Sequence, residues 1–272
     1  MTQTFVITGS SSGVGLAAAG QLAARGDEVV LVGRDADRLA AAVAQVRQAA
    51  GGREPRHFRA DFEQLDDVRE LAARLLDDYP RIDALANNAG GIINRAHLTV
   101  DGHEATMQAN HLAPFLLTHL LRERLTGARV VNTASRAHMQ GRPGTNFAED
   151  LRSYSSWRSY GASKSANILF AAEAARRWPD VLSVSFHPGV VRTNFGAGRL
   201  TRLFYRYAPG LVTPEAAGEL LTWLLTTPAG ELENGAYYVG HTVTRPAAHA
   251  RDPKLAADLW DASLTATGLT TE

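Results

Sequence analysis

Two side chains with the spacing of neighbours on a helix could move a proton. Tyr160 and Lys164 lie four residues apart in the stretch Tyr-Gly-Ala-Ser-Lys. On a helix this spacing brings a phenol and an ammonium to one face, about 5–6 Å apart at Cβ. Because a fixed positive charge stabilises a phenolate, the pair suits general acid–base chemistry on an alcohol or a carbonyl. Such pairs also occur on ordinary solvated helix faces, so the rest of the chain must decide between the two interpretations.

A glycine-rich turn near the N-terminus could bind the partner that this chemistry needs. The segment Thr8–Gly15 reads Thr-Gly-Ser-Ser-Ser-Gly-Val-Gly and stands between an apolar strand pattern and an alanine-rich helix pattern. Glycines at such a turn let the backbone approach a pyrophosphate, and the helix N-terminus supplies N–H donors and partial positive charge. A plain strand-to-helix turn is the alternative, but the position inside a β-α-β unit favours a dinucleotide site.

The elements that would position these residues alternate between strand and helix almost from end to end. Strand patterns cover residues 4–8, 28–32, 56–59, 84–87, 129–133, 182–186 and 236–239. Helix patterns cover residues 14–25, 37–50, 65–79, 102–125, 157–177 and 253–267, and a further helix starts at Thr213-Pro214-Glu215. Repeated β-α units with short connections predict an α/β fold, a Rossmann-type doubly wound parallel sheet of about seven strands with helices on both faces.

The composition narrows the class of protein. The 272 residues contain no low-complexity tract or linker, which predicts a single domain, 1–272. Lys+Arg 28 balance Asp+Glu 28, which argues against nucleic-acid and membrane-surface partners. The absence of cysteine excludes disulfides and thiolate chemistry, and the histidines show no metal-binding spacing, so no metal site is predicted. Without a secretory signal pattern or an apolar run of about 18 residues, a cytoplasmic location is expected.

The order of the motifs resembles that of the short-chain dehydrogenase/reductase family in its single-domain form. The resemblance covers residues 3–267 and rests first on the G-x-x-x-G-x-G turn and on Tyr-x-x-x-Lys about 150 residues later. Further motifs fall in the family's order: Asp61, Asn87-Asn88-Ala89-Gly90, Asn110, Ser135, and Pro188-Gly189 with Thr193. The resemblance implies an oxidoreductase that transfers hydride between a nicotinamide cofactor and an alcohol or carbonyl.

Four catalytic roles follow from the resemblance. Tyr160 would be the general acid/base, and Ser135 would hydrogen-bond the substrate oxygen. Lys164 would also bind the nicotinamide ribose, and Asn110 would hold a water that links the lysine to solvent. Two of these side chains have simpler interpretations, because Ser135 could merely cap a turn and Asn110 could be a satisfied buried polar group.

Two neighbouring features are expected to lie outside the catalytic set. Tyr154 also has a basic residue four positions later, Arg158, but that pair straddles the predicted helix start. Ser163 precedes Lys164 and points about 100° away from it on a helix, so packing is its expected role.

The implied cofactor-binding set runs from the glycine turn to the residues after the sixth strand. It comprises Gly9, Ser10, Ser12, Gly13, Val14, Gly15, Arg34, Asp61, Phe62, Asn88, Ala89, Gly90, Tyr160, Lys164, Pro188, Gly189, Val191 and Thr193. The acid that selects NAD in this fold would stand at Gly33, eighteen residues past Gly15, and the next residue is Arg34. A guanidinium in place of a carboxylate suits a 2′-phosphate, so NADP(H) is expected to be preferred over NAD(H). Asp35 is interpreted as a solvated turn residue.

Several longer stretches narrow the resemblance to the retinol dehydrogenase, WW-domain oxidoreductase and protochlorophyllide reductase-like branch. They are Ser135-Arg136-Ala137-His138, the segment from Tyr160 to Asn167, the segment from His187 to Thr193, and Leu259-Trp260. The sequence shows no pattern of the membrane anchor that many retinol-active members carry, so a membrane-lipid substrate is not expected. In the family, the helices predicted at 102–125 and 157–177 commonly pair subunits, so a homo-oligomer, dimer or tetramer, is a possible assembly.

An insertion at about 190–212 is interpreted as a substrate lid. It mixes apolar and aromatic side chains with arginines, which suggests a bulky hydrophobic small-molecule substrate. Residues 91–94 and 138–142 are expected to complete the pocket. His138 could touch the substrate, but a histidine in a loop is more often simply solvated, and that is the expectation here. The insertion could equally pack on the body of the protein or on another subunit. A reductase of an activated C=C bond and a non-catalytic NADP-sensing protein remain alternative functions.

Overall fold

The computed structural model describes residues 2–148, 151, 154–191 and 211–270. Eight strands form one sheet in the order β3-β2-β1-β4-β5-β6-β7-β8. Their bounds are β1 Thr4–Thr8, β2 Glu28–Gly33, β3 Arg56–Arg59, β4 Ala84–Asn87, β5 Arg129–Thr133, β6 Leu182–His187, β7 Tyr237–Val239 and β8 Thr242–Val243. The first seven strands pair in parallel, which confirms the predicted fold class. The eighth strand, antiparallel to β7, was not predicted because two residues carry no alternation pattern.

Helices cover both faces of the sheet. Their bounds are α1 Gly13–Ala24, α2 Ala36–Ala49, α3 Leu65–Asp78, α4 Ala105–Met107, α5 Ala113–Leu120, α6 Ser156–Arg177, α7 Pro214–Thr226 and α8 Pro253–Ala266. Phe5 and Ile7 of β1 pack with α1, α2 and α7 on one face, while Val6 between them packs with α3 and α5 on the other. This alternation follows from the two-residue period of a strand and buries all three side chains completely.

The strand order places the candidate site. Going outwards from β1, the chain runs to β2 and β3 on one side and to β4 and β5 on the other. The carboxyl ends of β1 and β4 therefore meet where the strand order reverses, which is the position at which open α/β sheets bind ligands. The glycine turn follows β1, and Asn88 follows β4.

The helix predicted at 102–125 is not one α-helix. Between α4 and α5 the chain forms a π-helical segment, Gln108–Leu112, and α5 is followed by the 3₁₀ segment Arg122–Leu125. The start moves to Ala105 because both carboxylate oxygens of Glu104 cap the first turn. Pro114 has no N–H to donate to an α-helical ladder, and the wider π turn lies directly before α5.

Candidate active site

The glycine turn after β1 forms a cradle at the switch point of the sheet. Gly9 and Gly13 have φ values of 66° and 60°, which side chains with a Cβ rarely adopt. A Cβ on Gly15 would lie 2.6 Å from Nδ2 of Asn88 and 2.7 Å from the Gly9 carbonyl oxygen. At the start of α1, the Ser12 side chain makes no capping bond and the first turn has no acidic residue. These residues fit a dinucleotide pyrophosphate, because the helix N-terminus favours an anion.

Two members of the predicted cofactor set have their side chains turned into the protein. The Ser10 hydroxyl is fully buried, donates to the Ile7 carbonyl at 2.8 Å and accepts the Val32 N–H at 3.0 Å. Phe62 packs in the core beneath the sheet and is 7% exposed. Ser10 therefore braces the glycine turn against β2, and neither side chain is placed to bind a ligand.

A threonine that the sequence reasoning missed joins the ends of β1 and β4. The hydroxyl of Thr8 accepts hydrogen bonds from the backbone N–H groups of Asn88 and Ala89, both at 3.0 Å. Asn88 returns a side-chain bond to the Thr8 carbonyl at 3.0 Å. A Cβ on Gly9 would meet Cα of Ala89 at 2.7 Å, so the two turns are in backbone contact.

Arg34 stands at the end of β2, where the sequence placed it, but it is already paired. Its Nη1 lies 2.8 Å from a carboxylate oxygen of Glu63 and 3.6 Å from one of Asp61. Glu63 was not predicted, and its other oxygen bonds Nε2 of His97 at 2.9 Å. Asp35 caps α2 by accepting the Arg38 N–H at 2.9 Å, so it is a capping residue as well as a turn residue.

Helix α6 brings Tyr160 and Lys164 together beside the cradle. The Lys164 ammonium lies 5.5 Å from the centroid of the Tyr160 ring and donates to the Thr133 carbonyl at 3.0 Å. Lys164 is 2% exposed and Tyr160 is 9% exposed. Burial lowers the pKa of Lys164 to about 8, because desolvation penalises its charged form. The pair thus has the close approach that acid–base chemistry requires.

Ser135 follows β5 at the same edge of the sheet. Its hydroxyl oxygen accepts the Ala137 N–H at 3.2 Å and caps the 3₁₀ segment Arg136–Gln140. Ser135 therefore does cap a turn, as the simpler interpretation expected, but the cap uses only one lone pair of the hydroxyl oxygen. The O–H group can still donate a hydrogen bond. A Cβ on Gly161 would lie 2.6 Å from the Ala137 carbonyl oxygen, so the turn after Ser135 is held directly against α6.

Asn110 is fully buried in the π-helical segment and holds the loop after β4. Its Oδ1 accepts the Gly91 N–H at 2.9 Å, and its Nδ2 donates to the Gly91 carbonyl at 3.0 Å. The same Nδ2 donates to Ser163 at 2.9 Å, and the Ser163 hydroxyl donates to the Tyr160 carbonyl at 2.8 Å. The expectation that Ser163 only packs was wrong, because its hydroxyl connects Asn110 to the backbone of Tyr160.

The turn after β6 lies next to the strand bridge that closes this end of the sheet. Gly189 has a φ of 89°, and a Cβ there would lie 2.5 Å from Cγ2 of Val212. Val191 pairs with Val212 in an isolated parallel bridge. Thr193 and residues 192–210 of the predicted lid lie outside the described residues.

Two further expectations concern polar side chains in the loops. Tyr154, which with Arg158 repeats the Tyr-x-x-x-basic spacing, was expected to lie outside the catalytic set. Its hydroxyl donates to the Ile93 carbonyl at 2.6 Å and hydrogen-bonds the Thr106 hydroxyl. His138 was expected to be solvated, and that expectation was wrong, because only 3% of it is exposed. Its ring is bonded at both nitrogens, and a single sequence could not show that.

Comparison with known proteins gives the family. Residues 3–202 match the family model described as short chain dehydrogenase. The chain belongs to the short-chain dehydrogenase family. It is 49% identical to "Putative daunorubicin C-13 ketoreductase DnrU" of Streptomyces sp. (strain C5), over 98% of this chain and 93% of the relative. It is 32% identical to human retinol dehydrogenase 13, over 98% of this chain and 85% of the relative.

Solved structures of short-chain dehydrogenases and their relatives share the fold. A Mycobacterium paratuberculosis protein of uncharacterised function superimposes with a TM-score of 0.80 at 30% identity, covering 99% of this chain and 95% of its own. A Shigella flexneri 2a protein assigned to the short-chain dehydrogenases, solved in complex with NADP, gives a TM-score of 0.70 at 25% identity, covering 88% and 97%. Family membership makes this chain an oxidoreductase that uses a nicotinamide cofactor. Within the described residues, no helix has the length and apolarity to cross a membrane.

Proposed function

We propose that this short-chain dehydrogenase is an NADPH-dependent reductase of a bulky hydrophobic ketone, with Tyr160 as the general acid. The observation that carries the proposal is the position of the Tyr160–Lys164 pair at the sheet edge that also holds the glycine cradle. The buried ammonium of Lys164 lies 5.5 Å from the centroid of the Tyr160 ring. Its positive charge stabilises the phenolate, which makes proton transfer by the phenol easier. Retained NADPH oxidation by a Tyr160→Phe variant would reject this assignment.

The cofactor supplies hydride, and the chain's own residues manage the oxygen and its proton. Tyr160 transfers its proton to the oxygen of the carbonyl as negative charge develops on it. Ser135, which keeps its O–H while accepting from Ala137, donates a hydrogen bond to the same oxygen. The positive charge of Lys164 stabilises the phenolate that remains, and Asn110 keeps the loop after β4 in contact with α6.

Preference for NADP(H) rests on Arg34. The side chain of Arg34 is 62% exposed at the end of β2, and Gly33 before it has no side chain where the NAD-type acid would stand. A Cβ on Gly33 would lie 3.2 Å from the Ser11 hydroxyl, so a longer side chain there would also press on the glycine turn. Arg34 can offer several donors to a 2′-phosphate, which competes with Glu63 for the guanidinium.

The described rim of the site favours a large apolar substrate. Met139, Trp157 and Val190 are 58%, 41% and 45% exposed, although all three are apolar. The Trp157 ring lies 5.9 Å from the Tyr160 ring, and its indole N–H is held by Gln140 at 2.6 Å. The names of the Streptomyces and human relatives specify a ketone reductase and a retinol dehydrogenase. We therefore place hydrophobic ketones first and hydrophobic alcohols, in the reverse direction, second.

The whole chain is proposed to act as one nucleotide-binding domain, with residues 190–212 as its lid. The test is NADPH oxidation with a panel of hydrophobic ketones, aldehydes, quinones and enones, followed by identification of the product. Formation of a C–OH group supports the proposal. Formation of a saturated C–C bond favours the alternative reductase, and tight NADPH binding without turnover on any member favours a non-catalytic NADP-binding protein.

A further inference from the structure

The imidazole of His138 joins the turn after Ser135 to a distant segment of the chain. Nδ1 of the ring lies 2.7 Å from the Ser135 carbonyl oxygen, and the Ala247 backbone N–H donates to Nε2 at 3.1 Å. A nitrogen that accepts an N–H carries no proton, so the ring is neutral and its one proton sits on Nδ1. The Nδ1–H group therefore donates to Ser135, and the other nitrogen binds a residue 109 positions further along the chain.

The backbone of His138 is held as firmly as its ring. The carbonyl oxygen of His138 accepts from Nε2 of His249 at 2.9 Å and from the Ser165 hydroxyl at 2.9 Å. The ring packs edge-on against Tyr237 of β7, with the centroids 5.2 Å apart. On the other side, a Cβ on Gly141 would lie 2.1 Å from the Ala162 N atom, so this turn is clasped between α6 and the segment at residues 247–249.

We propose that His138 is a positioning residue, which fixes the backbone of Ser135 against the segment at Ala247 so that the serine hydroxyl meets the substrate oxygen. The inference rests on the proposed function, since it assigns His138 a role through Ser135. The hydroxyl oxygen of Ser135 already accepts from Ala137 in the turn that His138 anchors. Rotation of this turn therefore moves the Ser135 hydroxyl, which the proposed chemistry uses as a hydrogen-bond donor to the substrate oxygen.

The groups that face His138 keep its ring neutral. His249 approaches from the segment before α8, Tyr237 from β7, and Arg136 shares its 3₁₀ segment, while His187 lies near it at the end of β6. None of them is a carboxylate. Burial lowers the pKa of His138, the hydrogen bond to the Ser135 carbonyl raises it, and the proximity of His249 lowers it. Protonation at acid pH would place a second N–H opposite that of Ala247 and break the anchor.

The two ends of the anchor can be removed separately. An asparagine at 138 places an N–H donor near the position of Nδ1 and lacks the acceptor, whereas a glutamine places an acceptor near the position of Nε2 and lacks the donor. Ala247→Pro deletes the N–H from the other side, and the φ of −53° at Ala247 suits proline. The variants are His138→Asn, His138→Gln, His138→Ala and Ala247→Pro, with His103→Gln as a control histidine outside this network.

The experiment measures kcat, KM for NADPH and the pH profile of the full chain, beside a Ser135→Ala variant. His138→Ala should lower kcat by about 10- to 100-fold, the loss expected for a misplaced catalytic group, with KM for NADPH unchanged. The kcat values of His138→Asn and His138→Gln should lie between those of the wild type and His138→Ala. Added to His138→Gln, which keeps the acceptor, Ala247→Pro should lower kcat further. Added to His138→Asn, which lacks the acceptor, it should have no further effect. In the wild type, protonation of His138 should lower kcat at acid pH. This contribution to the fall of kcat should be missing in His138→Gln, which has no imidazole to protonate.

Unchanged kcat in all His138 variants, beside a strong loss in Ser135→Ala, would overturn the inference and leave the proposed function intact. A Ser135→Ala variant that turns over normally would instead reject the role of the serine. Independently of turnover, ¹⁵N chemical shifts of labelled histidine report the tautomer of the folded protein. An Nδ1–H ring at 138 is the expected result, and a ring that carries its proton on Nε2 would refute the anchor even if no substrate were found.

Discussion

Nδ2 of Asn110 donates to the Ser163 hydroxyl at 2.9 Å, and through it the loop after β4 is joined to helix α6. The same amide pairs with both backbone groups of Gly91, so one buried side chain holds the loop that borders the cradle. Ser163 completes the connection by donating to the carbonyl of Tyr160. The acid–base pair and the cofactor cradle are thereby held at a fixed separation by hydrogen bonds between neighbouring elements.

Replacement of Asn110 should weaken the connection between the loop after β4 and helix α6 more than replacement of Ser163. Asn110→Leu removes three bonds and leaves both backbone groups of Gly91 without their partner, so kcat should fall by about 100-fold or more. Ser163→Ala removes the two hydrogen bonds that link Asn110 to the Tyr160 carbonyl but keeps the bonds to Gly91, so a smaller loss, about fivefold, is expected. Steady-state kinetics of both variants would test this order. Equal effects would show that the connection to α6, and not the grip on Gly91, is what matters.

Removal of the Tyr160 hydroxyl should lower the rate of turnover and leave cofactor binding nearly unchanged. Tyr160→Phe keeps the ring beside Lys164 and deletes the proton donor, so kcat should fall by at least about 10³-fold. The affinity for NADPH, measured by fluorescence titration, should change by less than about threefold. A large loss of NADPH affinity would mean that the hydroxyl serves cofactor binding more than proton transfer.

Lys164 should make stability depend on pH in a direction set by burial. Its pKa is about 8 in the folded protein and 10.5 without burial. Between these values the unfolded chain retains a proton that the folded protein has released, so the free energy of unfolding rises with pH across the window. Lys164 contributes an increase of up to about 3 kcal/mol.

Denaturant unfolding of the cofactor-free protein and of Lys164→Met, from pH 7.5 to 10, would measure this contribution. The difference between the two proteins should shift in favour of the wild type as the pH rises. Tyrosines remote from Lys164 are common to both proteins and cancel in the difference, and making the comparison in a Tyr160→Phe background removes the tyrosine that lies beside Lys164. Parallel curves would show that Lys164 does not release its proton in the folded state.

The ion pair at the end of β2 should determine cofactor choice. Arg34→Ala should weaken NADPH binding by about 10- to 100-fold, since bonds to charged groups contribute about 1.5–3 kcal/mol, and should leave NADH binding nearly unchanged. Glu63→Gln removes the carboxylate that competes for Arg34 and should strengthen NADPH binding relative to NADH. Calorimetry would measure the affinities of both variants for NADPH and NADH. An unaltered preference in Arg34→Ala would reject Arg34 as the selecting residue.

Two nearby glycines provide a matched test of the contact between the Ser135 turn and α6. Gly141→Ala would force its Cβ to 2.1 Å from the Ala162 backbone, whereas Gly144→Ala meets its first neighbour at 3.9 Å. The first substitution should therefore abolish most activity and lower Tm by several degrees. The second should leave both nearly unchanged. Normal activity in Gly141→Ala would show that the turn can move without harm to the site.

The strand-and-helix pattern of the sequence determined the fold because both periodicities are local and strong. Seven strands and the parallel sheet follow from alternating short apolar runs and amphipathic segments, and the glycine turn and the Tyr-x-x-x-Lys spacing are short enough to be visible in the chain itself. The two-residue β8 and the π turn at Gln108–Leu112 carry no such period. They depend on pairing with β7 and on the chain path around Pro114, so the sequence missed both.

Only the tertiary structure decided what each polar side chain contacts. The long-range contacts of Thr8, Glu63 and His138 are not visible in the sequence, because these partners lie between 29 and 109 residues away along the chain. A side chain changes from solvated to buried according to what the fold packs against it, and His138 is the clearest case. Residue type and spacing determined which groups could do chemistry, whereas long-range packing determined which groups hold them in position.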